Sequence, residues 1–168
     1  MTSQDILLLN ELYMRKTSFD ELKERYSVSI DQDYILSELI TAKKNRDKEA
    51  VFYLIMLAYK VGFNEKIGIE LSGLLTEQWH IEHEEIARIL QFKVNAPDCV
   101  DDVVKAIETK IEHLQASGDE ESFIRKCVYV LSKLDTNYSR KKLIELSESS
   151  DLIVRNIVKE HLDEENQD

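Results

Sequence analysis

The sequence predicts an all-α protein, an α-solenoid of antiparallel helix pairs behind an N-terminal helical cap. Three observations carry that expectation. The 168 residues include only 4 Gly and 1 Pro, too little turn chemistry for the many tight connections of an all-β chain. Apolar residues recur at helical spacing along most of the chain. Three stretches also resemble one another: "LTEQWHIEHEEIARILQFKV" at 75–94, "LQASGDEESFIRKCVYVLSKL" at 114–134 and "LSESSDLIVRNIVKEHL" at 146–162. Each leaves one helix, crosses a polar turn and enters another, and self-similarity at such intervals marks stacked supersecondary units.

Ten helices are expected. The first two, about 3–15 and 18–27, carry the apolar run "ILLL" and a capping box formed by Ser18 and Glu21; residues 1–30 read as the end cap that a stack of incomplete units requires. From residue 31 about four helix pairs follow, to residue 164. Helix spacing defines 33–45. Asp47 then caps "KEAVFYLIMLAYKV" and Asn64 caps "EKIGIELSGLLTEQ", giving helices at 47–61 and 64–78. Gly68 and Gly73 inside the latter permit close helix approach, at a propensity cost of about 1 kcal/mol each. A helix at 82–94 opens on glutamates, which complement its dipole.

Pro97 fits the first turn of a long helix at 97–116. Val100, Val103, Val104, Ile107, Ile111 and Leu114 form its apolar stripe, opposite Asp101, Lys105, Glu108 and Glu112. Asp119 after Gly118 starts 119–134, whose stripe of Phe123, Ile124, Cys127, Val128, Leu131 and Leu134 is broader, as for a helix between neighbours. The last pair spans 138–148 and 151–164, the second opened by Asp151. The acidic tail at 165–168 is expected to fray.

The chain is the size of one domain, able to bury a core without disulfides or metals. Cys99 and Cys127 lack CxxC spacing and read as reduced thiols packed as small apolar groups. The N-terminus lacks the basic start and long apolar stretch of a signal peptide. The longest apolar run, "AVFYLIMLAY" at 50–59, is half of what a membrane span needs. A cytoplasmic protein without membrane contact is the expectation. The net charge of −11 repels polyanions, so nucleic acid is not the expected partner and a basic protein is.

The motif "KLIELSESSDLIVRNIVKEHL" at 142–162 resembles a HEAT repeat, with an apolar first helix, a polar turn containing Asp and an apolar-Arg pair early in the second helix. Ala87-Arg88, Ile124-Arg125 and Val154-Arg155 are the related dipeptides, their arginines 37 and 30 residues apart. The resemblance is good over 97–163, fair over 64–94 and carried by helix spacing over 33–61. "WHIE" at 79–82 replaces the expected Asp, which marks a degenerate array. HEAT-like arrays serve many roles, so the likeness implies architecture and not activity.

Catalytic chemistry finds no purchase in these residues. "WHIEHEE" at 79–85 lacks the HExxH arrangement, and its histidines read as part of a solvated turn and helix start. Neither cysteine sits in a nucleophile motif, and the glycines form no phosphate loop. HEAT-like DNA glycosylases need a basic groove, whereas 63–118 holds eleven acidic and five basic residues. No enzyme activity, cofactor or metal is expected. The expected site is a protein-binding patch on the middle units: Glu82, Glu84, Glu85, Asp98, Asp101, Asp102, Glu108 and Glu112, with Trp79 as an aromatic anchor and Phe92 or Tyr129 in the same role.

A short, acidic, degenerate helical array also resembles bacterial immunity proteins of the polymorphic-toxin or contact-dependent inhibition type. That resemblance implies neutralisation of a cognate toxin domain, such as a basic nuclease, by covering its active site or substrate groove. The alternative is a HEAT-like adaptor subunit of a larger assembly.

Overall fold

The computed structural model describes residues 1–165 and is all-helical over them. Eleven α-helices run in the order α1 Ser3–Tyr13, α2 Phe19–Arg25, α3 Gln32–Asn45, α4 Lys48–Val61, α5 Glu65–Ser72, α6 His83–Phe92, α7 Val100–Glu108, α8 Glu112–Ser117, α9 Glu120–Leu134, α10 Asn137–Leu146 and α11 Leu152–Glu165. A 3-10 turn, Pro97–Cys99, leads into α7. Glu165, expected in the tail, is the last residue of α11; residues 166–168 lie outside the described residues.

Side-chain caps define most helix starts. Ser18 and Glu21 form the expected box, Asp47 accepts from the Ala50 amide and Asn64 from the Ile67 amide, each replacing a bond that the first turn lacks. Asp151 accepts from the Ile153 amide at 2.9 Å. Two boxes were not anticipated: Thr2 with Asp5, and Thr136 with Ser139, which starts α10 earlier than the expected 138. Asp119 precedes α9 without a side-chain capping bond.

Two expected helices are shorter than their apolar patterns. The helix expected over 64–78 ends at Ser72, where Gly73 begins successive tight turns bonded from Leu74 to the Leu71 carbonyl and from Leu75 to the Ser72 carbonyl. The helix expected over 97–116 divides into the 3-10 turn, α7 and α8. Thr109 is extended (φ −91°, ψ 128°) and turns its hydroxyl back onto the Lys105 carbonyl at 2.7 Å. Gln78 then holds the break open, its amide donating to the Lys110 carbonyl at 3.0 Å while its oxygen accepts from the Glu112 amide at 3.1 Å. The apolar pattern survives because Ile111 and Leu114 are still buried, on a separate short helix.

The packing pairs α3 with α4, α5 with α6, α7 with α9 and α10 with α11. Between pairs, α3 touches α5, α7 touches α10, α6 touches α9 and α9 touches α11, while α9 also packs closely on α10, so contacts between like members alternate with contacts between unlike ones. α1 lies against α2 and α4, and the N-terminal ammonium meets Glu38 of α3 at 2.7 Å. One apolar cluster runs from Leu8 to Val158 through these contacts. α9 is central to it: Phe123, Ile124, Cys127, Val128, Val130, Leu131 and Leu134 are all buried, as its broad stripe predicts. Cys99 and Cys127 are free, buried thiols, and burial pushes the Cys99 thiol up to about 12. Among the described residues no helix is long and apolar enough to cross a membrane.

Candidate functional site

The acidic residues singled out in the sequence fall into two groups bonded to different helices. Glu82, Glu84 and Glu85 lie at the start of α6. Glu84 accepts from Lys126 at 2.5 Å and from Ser122 at 2.7 Å, both on α9. Glu85 is held by Arg88 at 2.7 Å and accepts the Tyr59 hydroxyl of α4 at 2.7 Å; burial, followed by this contact, pushes that phenol up to about 12. Glu82 is half-buried, and burial followed by the Glu85 charge raises its carboxyl above the usual range. Lys126 and Arg88 thus neutralise two of the three.

In the second group two carboxylates bond to α10 and α5. Asp101 accepts the Tyr138 hydroxyl of α10 at 2.6 Å, and Asp102, half-buried, accepts Ser72 Oγ of α5 at 2.7 Å. Asp98, Glu108 and Glu112 are exposed, and their carboxylates make no hydrogen bond or ion pair among the described residues. Tyr138, 46% exposed, stands beside Asp101. Beside Glu108 a cleft of about 310 Å³ opens between α7 and α10, floored by Val104 and Leu146.

The aromatic candidates separate as well. Trp79 is half-buried against the core, with its indole N–H donating to Glu77 at 2.9 Å. Phe92, at the end of α6, is 66% exposed. Tyr129 of α9 is half-buried and meets the His161 ring of α11 edge-on at 4.9 Å.

The histidines of "WHIEHEE" are not solvated, which corrects the reading of that stretch as an open turn. His80 and His83 are 1% and 0% exposed and stack with ring centroids 4.2 Å apart. His113 of α8 tilts against His83 at 4.7 Å, and Phe123 of α9 meets His83 edge-on. The break between α7 and α8 brings His113 there. His80 Nδ1 accepts the Glu82 amide at 3.1 Å, so its Nε2–H donates to the Leu74 carbonyl at 2.9 Å. His83 Nε2 donates to the Glu77 carbonyl at 2.9 Å, leaving Nδ1 without a partner. Burial lowers both basicities, that of His83 to about 3, so these rings are neutral, structural groups at pH 7. Among the described residues no group of three or more His, Cys, Asp or Glu side chains is arranged to hold a metal ion.

Sequence reasoning missed that the polar turns are tied together. Gln78, before α6, bonds to Lys110 and Glu112 at the break between α7 and α8; Lys110 in turn donates to Asp151, before α11, at 2.8 Å and pairs with Glu120 at 3.1 Å. The sequence carried no signal for these partners: Gln78 and Asp151 stand at different distances from the arginines of their stretches, and Lys110 lies outside 114–134. Comparison of the chain with family models, with curated proteins and with solved structures finds no match.

Proposed function

We propose that this chain is a non-enzymatic protein-binding protein, a short HEAT-like α-solenoid that acts as an immunity protein toward a basic bacterial toxin domain. The solenoid reading is supported by the succession of helix pairs, each in contact with the next, and by the row of bonded turns from Gln78 through Lys110 to Asp151. The observation that carries the binding reading is the run of unneutralised carboxylates Asp98, Glu108 and Glu112, with Asp101 presented beside the exposed Tyr138. Surface carboxylates that find no internal cation keep their full field for a partner. A basic nuclease domain is steered by that field and held through charge-assisted hydrogen bonds from its arginines and lysines. The immunity assignment itself rests on likeness of size, charge and helical architecture to such proteins.

The test is growth protection in cells carrying an inducible toxin domain encoded beside this chain, followed by recovery of the complex. Rescue with a one-to-one complex is expected, with an association rate that falls steeply with salt. The combined reversal Asp101→Lys, Glu108→Lys and Glu112→Lys is expected to abolish protection. Cells that die equally with and without the protein would sink the immunity reading, and a stable complex with another assembly would favour the adaptor role. A complex indifferent to the triple reversal would move the contact to another face.

A further inference from the structure

We propose that His80, His83 and His113 form an acid-sensitive latch: proton uptake by this buried cluster releases α8 from α6 and α9 while the remaining helices stay packed. His80 and His83 are buried and stacked at 4.2 Å, and His113 of α8 tilts against His83 at 4.7 Å. Only His113 of the three is partly exposed, so water meets the cluster at α8.

The hydrogen bonds leave no place for an added proton. His83 donates its Nε2–H to the Glu77 carbonyl, which fixes the tautomer and leaves a buried lone pair on Nδ1 with no partner. A proton added there makes a charged N–H without an acceptor, a costly group until water reaches it. His80 is bonded on both sides, by the Glu82 amide and to the Leu74 carbonyl, so protonating it breaks the Glu82 bond. The surrounding charges do not compensate. Glu77, in the turn before α6, favours a charged His80, but His113 opposes a charge on either ring. On α6, burial shifts the Glu82 carboxyl toward its neutral form, and Glu84 is paired with Lys126 of α9. α9 faces His83 with the Phe123 ring, and its Glu120 is paired with Lys110. Glu112, beside His113 on α8, is exposed.

α8 is the element placed to yield. It is six residues long, packs chiefly on α9, and is bounded by extended backbone at Thr109 and Ile111 and by Gly118 at φ 81°. It can therefore swing without altering α7 or α9. Burial of Ile111 and Leu114 keeps it shut at neutral pH, whereas Gln78 and Lys110 hold its entry only through exposed bonds. Once α8 opens, the rings regain their ordinary basicity near 6.5, so opening is favoured as pH falls below that value and not above it. α8 also carries Glu112 of the acidic surface, so in the partner-binding reading acid loosens one arm of that surface; the latch itself stands apart from that reading.

Hydrogen exchange of the whole chain at pH 7.5 and 5.5, with rates corrected for intrinsic exchange, tests the latch. Opening at 110–118, measured relative to α3 and α4, is expected to increase at the lower pH by about tenfold for each ring that regains ordinary basicity. His83→Gln keeps a donor for the Glu77 carbonyl but cannot titrate, and is expected to remove one such factor of about ten. In NMR the native His83 ring is expected to stay neutral until the α8 amides lose protection. Unchanged protection at 110–118, or equal acceleration along the whole chain, would overturn the proposal in the unsubstituted protein alone. So would titration of His83 near 6.5 with α8 still protected, or an unaltered response in a folded His83→Gln. Exchange is read on the free protein, so this outcome is separate from that of the immunity reading.

Discussion

His83 shows how far one side chain's role depends on its surroundings. Among glutamates in sequence it belongs to a solvated turn; in the fold it is stacked on His80, tilted against His113 and edge-on to Phe123. Its folded basicity of about 3 lies well below the unfolded value near 6.5. Between those values the unfolded state binds the proton and the folded state does not. Stability is therefore full above about pH 6.5 and falls as pH drops toward 3, by up to about 1.4 kcal/mol per pH unit for one such group. His80, shifted the same way, adds to the loss, while Glu82, raised by burial, opposes it. The urea midpoint is expected to fall between pH 7.5 and 5, and to fall less in His83→Gln; a midpoint constant over that range would show that the rings are not held neutral. A second residue-scale expectation concerns the thiols. Cys99, pushed up to about 12, and the wholly buried Cys127 should react with a thiol reagent only after unfolding, so rapid modification of the native protein would contradict their burial.

At the scale of elements, α5 depends on a glycine for contact and on an asparagine for its start. A Cβ on Gly68 would lie 2.9 Å from Val94 Cγ1 and 3.3 Å from the Ala96 Cβ, so the segment after α6 can approach only because the position is bare. Gly68→Ala is expected to cost about 1–2 kcal/mol by urea unfolding despite the better helix propensity of Ala. A gain in stability would mean that Val94 moves aside freely. Asn64→Ala removes the bond to the Ile67 amide together with the one to Gln32, with an expected loss of about 1 kcal/mol. The caps at Ser18, Asp47, Asn64 and Asp151 were legible because capping is a contact over two or three residues. The ends at Ser72 and Glu108 were not, because the Leu74–Leu75 and Ile111–Leu114 apolar positions keep helical spacing beyond the point where the backbone turns.

For the whole molecule, the bonded turns connect successive pairs along one end. Gln78→Ala releases both the Lys110 carbonyl and the Glu112 amide, and is expected to lower stability by about 1 kcal/mol. Amide exchange at 109–117 should accelerate more than at α9, since α8 is short and held chiefly there and on α9. Uniform acceleration would show instead that the break follows global unfolding. The acidic patch also changes at this scale. Glu84 and Glu85 are close in sequence to Asp98 and Asp101, but their bonds run to α9, α6 and α4, whereas Asp101 and Asp102 bond to α10 and α5. Charge that reads as one run is shared between two layers of helices.

By itself the sequence determined the all-helical character, most helix starts and the apolar side of α9, because these depend on local hydrogen bonding and on the 3.6-residue period of burial. The tertiary structure decided where the 64–78 and 97–116 patterns break, that His80 and His83 face inward, and which carboxylates keep their charge free. It alone also brought His113 against His83. The break after α7 and the pairing of the carboxylates depend on residues far apart in sequence meeting in space, Gln78 with Lys110 and Glu84 with Lys126, and a pattern read over one helical turn carries no record of such partners.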